Sequence, residues 1–343
     1  MKSESVNVMS GNASAPVRAG KVQAATNSKL GARRQTRGLI RDLWFKAFLL
    51  FEKLGVHVLP KNFYTPIQDY HWLKANQNLW TTRGSLIGID WDIERQLDWL
   101  NQICAPYYSE VAGLGFFNES SALGFGPGFG RTESQVLHCF VRSAAPPHII
   151  EIGSGQSTVC MLHASGLNAR EGRSASEITC IEPYPRAPLR RLGGVRLLPQ
   201  PCQAVPNEVF SQLAAGDLLF IDSSHAVKVG SDVIRIYLEI IPNLSAGVFV
   251  HIHDINFPYF YSRSTLSPYF MHNSQEAALL AALLTGNKHL SVLSSLSALH
   301  YDRPAEMKRL LTDYEPQANI EGMWASYPPL GDFPHSIWLV TRP

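Results

Sequence analysis

The sequence predicts a doubly wound, mostly parallel α/β sheet preceded by an N-terminal helical extension. Three observations carry that expectation. From residue 148 onward, short apolar segments alternate with helical ones. The first, His148–Ile152, runs straight into a glycine-bearing turn, Gly153-Ser-Gly155. Hydrophobic residues make up 45% of the 343 residues and charged residues only 17%, below the usual ~25%, which suits a large buried core.

The length fits roughly two domains, or one large α/β unit with additions. The longest uninterrupted apolar run is Ala277–Leu284, whereas a spanning helix needs about 20 residues, so no transmembrane segment is expected. No apolar stretch of signal-peptide type begins the chain, and a cytoplasmic location is the expectation. Cys104, Cys139, Cys160, Cys180 and Cys202 are scattered without a C-x-x-C pair, the pattern of reduced thiols and not of a disulfide framework.

Residues 1–37 carry seven Lys/Arg and one acid, leaving 23 basic and 27 acidic residues over 38–343. A main body of net negative charge argues against a nucleic-acid partner. The basic tail is rich in Ser, Ala, Asn and Gly and lacks periodicity, so disorder is expected there. Its Arg-rich, acid-poor makeup is also that of a transit peptide.

Between 39 and 55, Ile40, Leu43, Trp44, Ala47, Phe48, Phe51 and Leu54 recur at helical spacing. Such a helix packs on the domain or on another copy in a homo-oligomer, or lies weakly on a membrane surface; Asp42 and Glu52 weaken the last reading. Tyr64, Tyr70, His71 and Trp72 form an aromatic stretch that periodicity does not assign. Residues 92–104 read as a helix with Ile93, Leu97 and Leu100 on one face, and Gly124–Gly130 as a loop able to act as a lid. Thr132-Glu-Ser-Gln135 fits a capping box opening the next helix. Strands are then expected at 148–152, 178–182, 195–199, 217–222, 247–254 and 336–340. Helices are expected from 159, over 231–241, and from a Ser274 cap to Leu284. The expected organisation is a tail (1–37), an extension (38–130) and the α/β domain (131–343).

In such sheets ligands sit beyond the carboxyl ends of the strands. Gly153 and Gly155 allow close backbone approach at a helix N-terminus, which favours an anionic group. Glu182, at the next strand's tip, can accept two hydrogen bonds from a ribose. A nicotinamide enzyme would normally show G-x-G-x-x-G, whereas position 158 is Thr158, so adenosyl-methionine is favoured over a dinucleotide.

Glu151-Ile-Gly-Ser-Gly-Gln-Ser-Thr158 resembles motif I of the class I S-adenosylmethionine-dependent methyltransferases. The ordered set Phe63–Ile67, Gly88–Asp90, Glu182-Pro183, Phe220–His225, Val250–Ile255 and Ser336–Leu339 resembles one bacterial methyltransferase-domain branch, over roughly residues 60–343. The resemblance implies a Rossmann-like methyltransferase sheet, with Glu151, Gly153, Ser154, Gly155, Ser157, Glu182 and Asp222 at the S-adenosyl-L-methionine site. Asp222-Ser-Ser-His225 with downstream His253-Asp254 is similar to the metal-dependent macrolide and rhamnosyl sugar O-methyltransferases. That similarity implies Asp222 and Asp254 as metal ligands and catalytic residues, with His225 as general base. His253 stands where those enzymes place an acid; Mg²⁺ prefers oxygen, while Mn²⁺ or Fe²⁺ accepts imidazole. The implied activity is O-methylation of a sugar or glycosylated small molecule. A nucleotide-dependent oxidoreductase and a non-catalytic cofactor-binding relative remain as alternatives.

Overall fold

The computed structural model describes residues 39–63, 65, 67–113, 115–126, 128–261, 263–266, 274–311, 313–315 and 334–343. The expectations for the tail and for Tyr64 lie outside these. The chain divides into two compact units, Met1–Asp69 and Tyr70–Pro343. Residues 70–130 of the expected extension thus fall within the second unit.

In the first unit, helix α1 spans 39–53 and ends where Gly55 adopts φ +76°, a conformation that suits glycine. Leu43, Leu50 and Leu54 are exposed.

The second unit opens with α2 (Tyr70–Ala75), α3 (Gln77–Trp80), α4 (Ile93–Cys104), α5 (Gly115–Ala122) and α6 (Arg131–Ala144). Then follow β1 (His148–Ile152), α7 (Gln156–Arg170), β2 (Glu177–Ile181), α8 (Ala187–Arg191), β3 (Val195–Leu198), α9 (Asn207–Phe210) and β4 (Leu218–Ile221). After α10 (Asp232–Arg235) come β5 (Phe249–His253), α11 (Glu276–Leu284), β6 (Leu290–Ser295), α12 (Leu296–Asp302), α13 (Pro304–Leu310) and β7 (Ser336–Thr341).

The seven strands are ordered β3-β2-β1-β4-β5-β7-β6, all parallel except β7, which runs antiparallel to both neighbours. This is the expected doubly wound, Rossmann-like sheet. Strand alternation splits the core in two. Ile150, Ile152, Leu219, Ile221, Val250 and Ile252 join one cluster, and Ile149, Leu218, Phe220 and Trp338 the other. The second cluster also takes in Leu100, Val136, Phe140 and Met161 from α4, α6 and α7. Glu151, His251 and His253 occupy the alternate positions of β1 and β5 that face this side.

Four local expectations change. Strand β6 is not among the expected strands, because Ser291, Ser294 and Ser295 leave a weak apolar signal. Helix α6 starts one residue before Thr132, on Gly130, and no side chain caps it. Its Glu133 carboxylate instead accepts hydrogen bonds from His335 N (2.7 Å) and Ser336 Oγ (2.6 Å). Ser274 does not cap α11, whose N-cap is Gln275, also without a side-chain bond. The expected helix over 231–241 is α10 followed by a π-helical turn, Ile236–Ile240, and a 3₁₀ turn, Ile241–Asn243.

Candidate active site

The loop after β1 is built from the inside out. Glu151 is fully buried and accepts hydrogen bonds from Ser157 Oγ and Thr158 Oγ1, both 2.6 Å. Burial pushes its pKa up to about 7, against the lowering pull of those hydroxyls. Thr158 Oγ1 also accepts from Gly155 N (3.0 Å), so one carboxylate organises the turn and the start of α7. Glu151 therefore lies behind the loop, outside the residues lining the cavity.

Gly153 adopts φ +80°, and a Cβ there would fall 1.8 Å from the Asp222 carbonyl oxygen. Gly153 N donates to Ile181 O (2.9 Å) and Asp222 N to Ile152 O (2.8 Å), drawing the tips of β1, β2 and β4 together. A Cβ on Gly155 meets nothing within 4 Å and would project into free space. Glu182 receives Ser154 N on Oε2 (3.3 Å) and Tyr184 N on Oε1 (2.8 Å). Each of its oxygens keeps accepting capacity.

Gly153, Ser154, Gly155, Ser157, Glu182 and Asp222 line one cavity of about 390 Å³, within the range for small-molecule sites. Phe125, Gly126, Gly128 and Phe129 of the glycine-rich loop complete its wall, together with Tyr184 and Arg186. Six of the seven residues expected at the cofactor site thus share the cavity.

Next to Asp222 lies a charged knot. His225 Nε2 is 3.3 Å from Asp222 Oδ1 and 3.1 Å from Asp254 Oδ2. Its Nδ1 is 2.7 Å from Oε2 of Glu276, a fully buried residue on the first turn of α11. Burial pushes the His225 pKa down, but Asp254, Asp222 and Glu276 outweigh it and hold it well above the usual value. Burial would raise Asp254, yet His225, His335 and His253 hold it well below the carboxylate range. His225 and Asp254 both sit in the left-handed region, φ +56° and +57°, a strained backbone for non-glycine residues. These two residues are joined by an ion pair at neighbouring strand ends.

Asp222, His225 and Asp254 bring ligating atoms within 4.8 Å of one another. His253 does not join that group: its ligating partners are Asp254 with His335, and Glu133 with His251. The expected Asp222–His253–Asp254 set is therefore not assembled. The physical reason is the strand: β5 points His253 to the same face as His251, whereas the left-handed turn at Asp254 redirects that carboxylate towards His225.

Residues 150–255 match a family described as "Methyltransferase domain".

No curated protein matches the chain. Among solved structures it is similar to MycE methyltransferase from the mycinamycin biosynthetic pathway, in complex with Mg, SAH and mycinamycin VI. That similarity has 14% identity and a TM-score of 0.33, covering 66% of this chain and 54% of that one. The chain thus spans about half the length of that protein. It is also similar to a candidate caffeoyl-CoA O-methyltransferase from Staphylococcus aureus, with 12% identity, a TM-score of 0.32, and 70% and 96% of the two chains covered. CurJ carbon methyltransferase is a third, with 12% identity, a TM-score of 0.29, and 72% and 66% covered. Among the described residues no helix is long and apolar enough to cross a membrane.

Sequence reasoning missed Glu276, Tyr184 and Arg186. Glu276 lies 51 residues beyond His225 at the head of an apolar helix, where an acid reads as an ordinary first-turn residue. Tyr184 follows Glu182 by two positions, and only the shared cavity reveals its place.

Proposed function

We propose that the protein is an S-adenosylmethionine-dependent methyltransferase that methylates a hydroxyl of a sugar-like, vicinally hydroxylated small molecule. The single observation that carries this reading is the Glu182 carboxylate held against the Gly153–Gly155 loop in one cavity with Asp222. That arrangement suits an adenosyl ribose at Glu182 and a methionine end at the open face of Gly155. Bound S-adenosylmethionine supplies an electrophilic methyl group, and a divalent ion at Asp222 and Asp254 would make a nearby hydroxyl more acidic. The donors fit such an ion, because the Asp222 and Asp254 carboxylates bring oxygens within 4.8 Å of one another, which leaves the His225 imidazole free of it.

The chain's own residues then have distinct tasks. Walls of the cavity restrict the acceptor, and orientation alone supplies several kcal/mol of a displacement barrier. His225 Nε2 takes the hydroxyl proton, a contribution of about 10²–10⁴-fold. Glu276 keeps the opposite nitrogen, Nδ1, protonated and fixes the ring. A second positive charge on Asp222 and Asp254 would lower the proton affinity of His225, leaving it neutral and able to act as base.

The test has two arms. Calorimetry should show wild-type protein binding S-adenosylmethionine, with Glu182→Ala and Gly155→Val weakened and still folded. Methyl transfer to a panel of vicinal diols should fall on chelation and return with Mg²⁺ or Mn²⁺. Binding of NAD(H) in place of S-adenosylmethionine would overturn the reading, and undiminished transfer by metal-free enzyme would remove the ion.

A further inference from the structure

Behind the cavity, on the α6 side of the sheet, lies a set of groups that the methyl-transfer reading does not use. His251 and His253 are 0% and 1% exposed, and all four of their ring nitrogens lack a hydrogen-bond partner. Leaving a buried polar group without a hydrogen bond costs about 1–3 kcal/mol, so two imidazoles with none demand an explanation. Packing does not supply one. His251 stacks on Phe220 (centroids 4.3 Å apart, planes at 4°) and meets Trp338 edge-on at 4.6 Å. His253 lies 5.0 Å from the Phe129 ring. These contacts fix the orientation of the rings and satisfy none of their nitrogens.

The third member is Glu133, 2% exposed, carried on the first turn of α6 over the same face of β5. One ligating atom from each of Glu133, His251 and His253 lies within 4.8 Å of the other two. Glu133 is held by His335 N and Ser336 Oγ, one on each oxygen, and each oxygen keeps a further lone pair. Supporting bonds of this kind orient metal-ligating carboxylates.

We propose that Glu133, His251 and His253 form a buried site for one divalent first-row transition-metal ion, zinc or ferrous iron, separate from the Asp222–Asp254 carboxylates. Two imidazoles and one carboxylate suit these ions and disfavour Mg²⁺ and Ca²⁺, which prefer oxygen. The ion would give one nitrogen of each ring a partner and balance the Glu133 charge. A ladder of ligating groups leads inward from the surface: His335 Nδ1 is 2.5 Å from Asp254 Oδ1, and His253 Nε2 is 3.8 Å from the same oxygen. The His335 and His253 rings lie 4.7 Å apart. The inference stands independently of the methyltransferase reading, since none of its three ligands lines the cofactor cavity.

The test uses the full chain stripped with chelator and titrated with Zn²⁺, Fe²⁺ (anaerobically) or Co²⁺. Expected are stoichiometric binding by elemental analysis, a raised melting temperature, and a Co²⁺ ligand-field spectrum of mixed nitrogen and oxygen coordination. His251→Asn and Glu133→Gln should each weaken binding by about 100-fold or more, beyond what supporting residues contribute. Asp222→Ala should retain it. Wild-type protein that takes up none of the three ions, whose nitrogens are then served by water, overturns the proposal. So does binding that survives in His251→Asn and Glu133→Gln but disappears in Asp222→Ala. The Co²⁺ spectrum of Asp222→Ala decides the matter even if a His251 or Glu133 variant does not fold: it should keep nitrogen ligation, and purely oxygen coordination or no uptake overturns the proposal.

Discussion

Gly153 and Gly155 stand two positions apart in one motif and answer to different constraints. At Gly153 the limit is internal: φ is +80° and a Cβ would sit 1.8 Å from the Asp222 carbonyl. Gly153→Ala should therefore cost about 3 kcal/mol or more, from strain and displaced backbone together. Gly155 has no such neighbour, so Gly155→Ala should leave stability nearly unchanged and weaken S-adenosylmethionine binding. Thermal unfolding and calorimetry on the two variants check this; equal stability loss would show that both glycines serve only the fold. The motif was legible in the sequence, but the division of labour was not, because spacing does not reveal which carbonyl lies opposite. Glu151 teaches the same lesson: its place beside the glycines marks the loop, while its contacts make it the support beneath it.

The elements that place the site were legible to differing degrees. Strands β1, β4 and β5 are short apolar runs ending in chemistry, and the sequence shows them plainly. Strand β6 was hidden because Ser291, Ser294 and Ser295 are buried polar residues in a strand interior. The capping-box pattern misled because Gln135, the residue that would reach back to Thr132, turns its amide to Val111 O and Asp313 Oδ2 instead. Helix α11 contributes most beyond expectation, because its first turn carries the carboxylate that clamps His225. Glu276→Gln keeps the size of that side chain and removes its charge. Methyl-transfer turnover should fall about tenfold or more, in line with the loss of a group that orients a catalytic base, while S-adenosylmethionine affinity stays unchanged. A parallel drop in both would mean that Glu276 supports the cavity as a whole.

The molecule as a whole buries several titratable groups in the cluster beneath α4, α6 and α7, and their balance sets its response to acid. Residues 1–37 have few apolar residues to set against an ordering cost of about 1–2 kcal/mol per residue. Their deletion should leave the melting temperature within error, and a clear fall would show that they pack. The buried groups act differently. Burial lowers the His138 pKa to about 4, with the Glu110 hydrogen bond only partly offsetting it and His163 and Arg142 adding to the depression. Burial alone lowers His300 to about 4. For both, the folded value lies below the unfolded 6.5, so their contribution is intact above pH 6.5. It is lost as pH falls from 6.5 towards 4, when only the unfolded chain takes up the proton, at roughly 2–3 kcal/mol for each histidine. Glu151 opposes them: its folded value of about 7 exceeds the unfolded 4.5, so its contribution is full below pH 4.5 and lost as pH rises towards 7. His163 and His251, which burial also lowers, act in the same sense, so four histidines against one carboxyl make stability rise with pH across this window. His138→Phe preserves the ring stacking on Phe116, at 5.1 Å between centroids, and removes one of these titrations. The variant's melting temperature should depend on pH between 4 and 6.5 distinctly less steeply than that of the wild type. Identical slopes would show that His138 is already protonated in the folded chain, and that Glu110 outweighs its burial.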